Sequence, residues 1–212
     1  MQEAPMASDK KHAGEMSYDI LPERMPQIPE DQLTDAQRAA LAAISASRGG
    51  VRGSFVALVR APELMDRIQK LGAYVRFEAS LDLRVNRVAS LLTTRHYSNQ
   101  FEWAGNTGLA LQAGLSADII EAIGDGRRPS NMAEDEEVAY DFTTESLVNK
   151  SVSDHTYARA VRQFGERGVL DMLGIISYYG LLALIMNVVR TPVPDGGPLP
   201  LAPMPQVIKP RL

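Results

Sequence analysis

Between Arg95 and Asn106 the chain sets an arginine, a histidine, a tyrosine, a carboxylate and three side-chain amides, together with its only tryptophan, Trp103. These residue types could move protons and hold an anion. Glu102 and Asn106 are four apart, so on a helix they share a face. A glutamate beside Trp103 in an apolar bundle has its acid form favoured by desolvation, which suits a general acid or base. His96 could deliver a proton, or cap the C-terminal end of its helix, where a cation is favourable. Asn106 can orient and hydrogen-bond but cannot shuttle protons near neutral pH. Arg87 and Arg95, eight apart, could converge on a substrate carboxylate through bidentate contacts, or serve as inter-helix or inter-subunit salt bridges. Trp103 reads as a pocket wall or as simple core. Tyr178 and Tyr179 sit inside an apolar stretch; one could donate to a carbonyl or enolate while the other packs.

Other chemistries are disfavoured. The chain has no cysteine, so thiolate nucleophiles, disulfides and CxxC redox reactions are excluded. The histidines at 12, 96 and 155 have no metal-ligand spacing, and His155 beside Asp154 reads as the neighbour of a helix cap. No metal is expected, and with no GxGxxG or Walker loop no cofactor either. A net charge of -4 without a basic block argues against nucleic acid. The first twenty residues hold no apolar core of signal-peptide length, so a cytoplasmic protein is expected. Val169 to Val189 is largely apolar, but it carries Asp171, Ser177, Asn187 and two glycines. A buried core helix, not a membrane span, is the reading.

The frame around these residues is helical. Residues 1–30 hold four prolines and no periodicity, and read as an extended arm. Thr34 caps a helix rich in strong helix formers that stops at Gly49-Gly50. A short apolar element covers Gly53–Val59, and Pro62 opens a helix with Leu64, Ile68, Leu71 and Val75 as its buried stripe. Helices follow over Leu81–Tyr97 and Asn99–Ala113, the second with Phe101, Ala104, Leu109 and Ala110 turned inward. Ser116 caps a short helix, and residues 124–129 form a loop. The acids from Glu134 open a helix whose inner face is Val138, Phe142, Leu147 and Val148. Ser153 starts another, with Tyr157, Val161 and Phe164, ended by Gly165 and Gly168. Val169–Val189 is the last. Residues 192–212 are proline-rich and read as a second arm. The expectation is an all-α fold of about seven to nine helices, with one domain over 31–191.

Several segments carry a family resemblance in order. They are Pro62-Glu63-Leu64, Leu91 to Tyr97, Phe101-Glu102-Trp103, Leu109 to Ser116 and Glu121-Ala122-Ile123, extended by Val152 to Tyr157 and Ser177-Tyr178-Tyr179. Over roughly residues 35–190 the chain resembles the carboxymuconolactone decarboxylase family, in the alkyl hydroperoxidase D-like superfamily, and a cysteine-less branch of it. The resemblance implies a helical bundle that assembles as a homo-oligomer, often a trimer or hexamer. In the peroxidase branch, a glutamate precedes a CxxC pair and a histidine; Arg87, Asn99, Glu102 and Asn106 stand at those positions here. The decarboxylase branch carries Glu-x-x-x-His, of which Glu102 is kept and Asn106 replaces the histidine.

The function this implies is a cofactor-independent, decarboxylase-like lyase or isomerase. It would act through an enolate on a small, oxygenated, carboxylated ring compound. In it Arg95 and Arg87 orient the carboxylate, Glu102 and His96 move protons, and Asn106 with Tyr178 or Tyr179 binds the oxyanion. The alternative is a binding or scaffold member that has lost the acid–base set.

Overall fold

The computed structural model describes residues 22–193 and 200–202, apart from the side chains of residues 47 and 48. Residues 1–21, 194–199 and 203–212, which hold most of both expected arms, lie outside the described residues. Among the described residues there is no strand. A single 3-10 turn, Glu30–Gln32, precedes eight helices: α1 Asp35–Arg48, α2 Ser54–Leu58, α3 Pro62–Phe77, α4 Leu83–His96, α5 Gln100–Gln112, α6 Ala117–Gly124, α7 Glu134–Asn149 and α8 Asp154–Val189.

Local chemistry sets most of the boundaries. Thr34 and Gln37 form a reciprocal capping box at α1, which ends on Gly49 in the left-handed region (φ 71°). Pro62 occupies the first turn of α3, where its missing N–H costs nothing. Side chains of Asp82, Asn99, Ser116 and Ser153 accept from backbone N–H groups at the starts of α4, α5, α6 and α8.

α4 is the axle of the bundle, packed by α5, α7 and α8. Its middle, from Val85 to Arg95, is buried almost throughout, polar residues included. Ser90, Thr93 and Thr94 survive there because each hydroxyl donates back to a carbonyl of its own helix, at 3.1, 2.8 and 3.0 Å. Asp171 of α8 fastens the neighbouring layer. It accepts from Tyr74 Oη of α3 at 2.7 Å, and from Ser80 N and Oγ at 2.7 and 2.6 Å.

The buried faces differ from the expected stripes by small rotations. On α3 the core takes Met65, Ile68, Gly72 and Val75, leaving Leu64 and Leu71 exposed. On α5 it takes Trp103, Asn106 and Ala110, whereas Ala104 and Leu109 face outward. Val148 of α7 is exposed as well. Gly165, expected to end a helix, breaks α8 with non-helical angles (φ 69°, ψ 172°), and a second helical length runs on from the kink to Val189. This helix is long and apolar enough to cross a membrane, but 56% of its apolar window is buried inside the fold. The chain entering from residue 22 lies against its end: Arg24 N donates to Val189 O at 2.8 Å.

Candidate functional site

A cavity of about 550 Å³ opens between α5, α8, the end of α3 and the turn over residues 50–55. Glu102 and Asn106 enter it from α5, and Tyr178 and Tyr179 from α8. Arg52 and Arg76 complete the polar lining, and Phe101 and Leu182 are among the apolar residues. The turn reaches this wall because Gly53 has φ 58° and no side chain; a Cβ there would sit 2.7 Å from the Phe101 ring.

Behind the lining lies Arg87 of α4, 8% exposed. Its Nη1 donates to Asn106 Oδ1 at 3.2 Å and to Tyr179 Oη at 3.3 Å. Asn106 Nδ2 in turn donates to Glu102 O at 2.8 Å and to Glu102 Oε2 at 2.9 Å. The relay therefore runs from a buried guanidinium, through an amide, to a carboxylate that faces the cavity. Asn106 Nδ2 holds Glu102 Oε2 from the inner side, which sets the carboxyl at the cavity where it can serve as a general acid or base. Tyr179 Oη accepts from Arg87, which leaves the phenolic proton available as a donor. Burial pushes the Tyr179 phenol up, against the opposing charge of Arg87 and aided by Glu102, so it stays protonated.

The expected cluster at 95–106 does not gather in one place. Arg95 and Trp103 line a separate cavity with α6, so Trp103 is not a wall of the Glu102 site. Its ring packs on Gly124, where a Cβ would come within 3.0 Å. His96 is exposed and belongs to a third depression with Tyr97 and Asn187, out of the Glu102 cavity. Its pKa is held below the ordinary value by partial burial and the Lys150 charge. Arg87 and Arg95 do not converge. Arg87 reaches no carboxylate at ion-pair distance among the described residues, so it forms no salt bridge between these helices, and it stands behind the residues that line the cavity. Asn106 spends both N–H groups on Glu102, which removes it as an oxyanion donor and makes it a positioning residue.

The cause of this scattering is local. Ser98 adopts φ 48°, and the chain turns sharply between α4 and α5. Asn99 locks that turn, donating to Asn187 Oδ1 at 2.8 Å and Ala183 O at 3.2 Å, while Asn187 Nδ2 donates to Tyr97 O at 2.7 Å. Successive residues on α5 then point about 100° apart, so Glu102 and Trp103 serve different cavities. Arg52 and Arg76 were not anticipated. The one available signal was an arginine set in a glycine-flanked turn, Gly50-Val51-Arg52-Gly53. Among the described residues no group of three or more His, Asp or Glu could hold a metal ion.

Several solved structures share this arrangement of helices. One is the alkylhydroperoxidase AhpD core of an uncharacterized peroxidase-related protein from Ralstonia eutropha JMP134. It aligns with a TM-score of 0.66 and 13% identity, over 84% of this chain and 95% of that one. The fold is that of the AhpD-like helical proteins. The second is the debrominase Bmp8, in a cysteine-to-alanine variant in complex with 2,3,4-tribromopyrrole, at TM-score 0.65 and 9% identity, covering 81% of this chain and 92% of that one. No family model and no curated protein sequence matches the chain. Within the AhpD-like fold this chain differs in chemistry from any thiol enzyme, because it contains no cysteine. Asn99 and Glu102, which the resemblance sets at the CxxC positions, are here a helix cap and a cavity carboxylate.

Proposed function

We propose that the protein is a cofactor-independent acid–base enzyme of the carboxymuconolactone decarboxylase type. Its substrate is a small, oxygenated, carboxylated ring compound, and its reaction is a decarboxylation or a related lyase or isomerase step through an enolate. The observation that carries the reading is the relay Arg87–Asn106–Glu102, with the Tyr179 phenol beside it, at the wall of a cavity lined by Arg52 and Arg76. Its volume, about 550 Å³, suits such a molecule.

In this mechanism Arg52 and Arg76 hold the anionic substrate. If CO2 leaves, the electron pair of the broken C–C bond moves into the ring carbonyl as an enolate, and Tyr179 Oη donates to the oxyanion. Glu102 then returns a solvent-derived proton to carbon. In an isomerase step, Glu102 would take the proton from one carbon and return it to another. His96 has no part in this version, because it faces a different depression.

The test is turnover of a panel of carboxylated lactones and phenolic acids, followed by loss of ring absorbance and release of CO2. Glu102→Gln should lower kcat by about 10²–10⁴-fold, the usual contribution of a positioned proton-transfer group. Unchanged turnover in that variant would sink the role given to Glu102. A non-catalytic scaffold is the second reading, favoured by one feature: both N–H groups of Asn106 are already satisfied inside the protein. The proposal extends to a cytoplasmic homo-oligomer. Leu170, Leu173, Leu181, Leu184 and Val188 form an exposed apolar stripe along α8, which supports association. Sedimentation of the protein as a monomer at micromolar concentration would remove that part.

A further inference from the structure

The cavity that holds Arg95 is a built site in its own right. It measures about 530 Å³ and lies between α5, α6 and the segment Pro200–Ala202, on the side of α5 turned away from Glu102. That segment is clamped down. Leu201 is buried, its N–H donates to Gln100 Oε1 at 2.9 Å, and its carbonyl accepts from Gln100 Nε2 at 2.8 Å.

Arg95 is 7% exposed, and burial lowers its pKa, with Asp125 opposing. Its Nη1 donates to Ala202 O at 2.9 Å and, at a long 3.4 Å, to Ser98 Oγ. Its Nε is buried without a partner. Among the described residues no carboxylate stands within ion-pair distance of it. Asp125 is engaged with Arg127 instead, at 3.2 and 2.8 Å. A buried guanidinium with unused donors and no counter-ion among the described residues is an unfavourable arrangement that an anion in the cavity would relieve.

The other walls define the rest of the ligand. Trp103, Leu111 and Ile120 supply the apolar part of the lining, which suits an unsaturated, flat body. Glu121 and Asp125, also in the lining, repel a second negative charge. We propose that this cavity binds a planar monocarboxylate, its carboxylate on Arg95 and its ring or alkene along Trp103, at a site separate from the Glu102 cavity.

Trp103 is the only tryptophan, so its fluorescence reports on this cavity without labelling. Benzoate is the probe, with benzyl alcohol and phthalate as neutral and dianionic controls. Benzoate should produce a saturable change, benzyl alcohol none, and phthalate one at least about tenfold weaker, the scale of a single charge-assisted contact. Arg95→Gln should weaken benzoate by at least about tenfold on the same grounds. Because Arg95 also holds Ala202, a second variant removes the dependence on folding. Ala117→Phe starts from an exposed position at the mouth of the cavity, and should block binding while leaving Arg95 and its contacts intact. Gly105→Phe, at an exposed helical position with nothing within 4 Å of a Cβ, fills the Glu102 cavity and should leave benzoate binding unchanged. No saturable response in the native protein overturns the proposal. So does binding that survives Ala117→Phe, or that is lost in Gly105→Phe, since either places the probe elsewhere.

Discussion

Replacing Asp171 by asparagine tests whether the wall carrying Tyr178 and Tyr179 is held in place as described. The carboxylate is buried and accepts three hydrogen bonds of 2.6–2.7 Å from two other segments. An asparagine keeps one acceptor oxygen, enough for Tyr74, but presents an N–H2 to Ser80 N, a donor facing a donor. Hydrogen bonds to charged groups are worth about 1.5–3 kcal/mol each, and neutral ones about half that. Loss of charge at Tyr74 and of two acceptor contacts at Ser80, partly offset by water reaching the exposed Ser80, comes to about 3 kcal/mol. Tyr74→Phe removes one contact and should cost roughly half as much.

Urea denaturation at pH 7 measures both, and the double variant should fall short of the sum, because the two share a partner. The pH dependence has a definite sign. Burial raises the Asp171 pKa, but the bonds from Ser80 and Tyr74 and the Arg167 charge outweigh it and hold it below its ordinary value. A group with a depressed folded pKa contributes stability that is present above its unfolded value, about pH 4, and is lost as pH falls through the folded value. The gap between native protein and Asp171→Asn should therefore narrow below about pH 4. Equal midpoints at pH 7, or a gap that stays constant into acid, would refute the reasoning.

Three further outcomes follow from the site. Tyr179→Phe should lower kcat by about 10²-fold, as expected for loss of one oxyanion donor. Its raised phenol pKa means that the native protein loses stability as pH rises above about 10, the unfolded value, and the phenylalanine variant should show a flatter alkaline limb in thermal melts. Arg87→Met should reduce kcat by about 10²-fold with KM little changed, because it misaims Glu102 and Tyr179 without touching the substrate, and Arg87→Lys should recover part of the loss. Gly53→Ala forces a side chain into a positive-φ position and against Phe101, and should lower stability by about 1–2 kcal/mol in denaturant titration.

The helices were legible in the sequence because their ends carry strong chemical signals, among them Thr34, Pro62, Ser116 and Ser153. Their faces were less so. On α3 the stripe Leu64–Leu71 competes with Met65 and Gly72 one position along, and only packing against α8 decides between them. The site was half legible. Glu102 and Asn106 share a face because helical spacing requires it, and Tyr179 meets them across the bundle. Arg95, His96 and Trp103 are close to them in sequence but line other cavities. One residue with a positive φ, Ser98, and a 100° step along α5 are enough to send them elsewhere. Arg52 and Arg76 were hard to find because only the glycines around Arg52 mark either of them out, and it is the tertiary fold that brings both to the cavity of Glu102.

The break at Gly165 has a consequence for how the protein comes apart. The part of α8 before it is tied to α7 by Arg159, which contacts Asp141 and Glu137, and the part after it carries both tyrosines of the cavity. With the amide ladder interrupted between them, residues 154–164 can open while 166–189 stay packed on α4. Hydrogen exchange should then show two protection classes along α8, the slower one holding the phenols in register with Glu102 after the first has frayed.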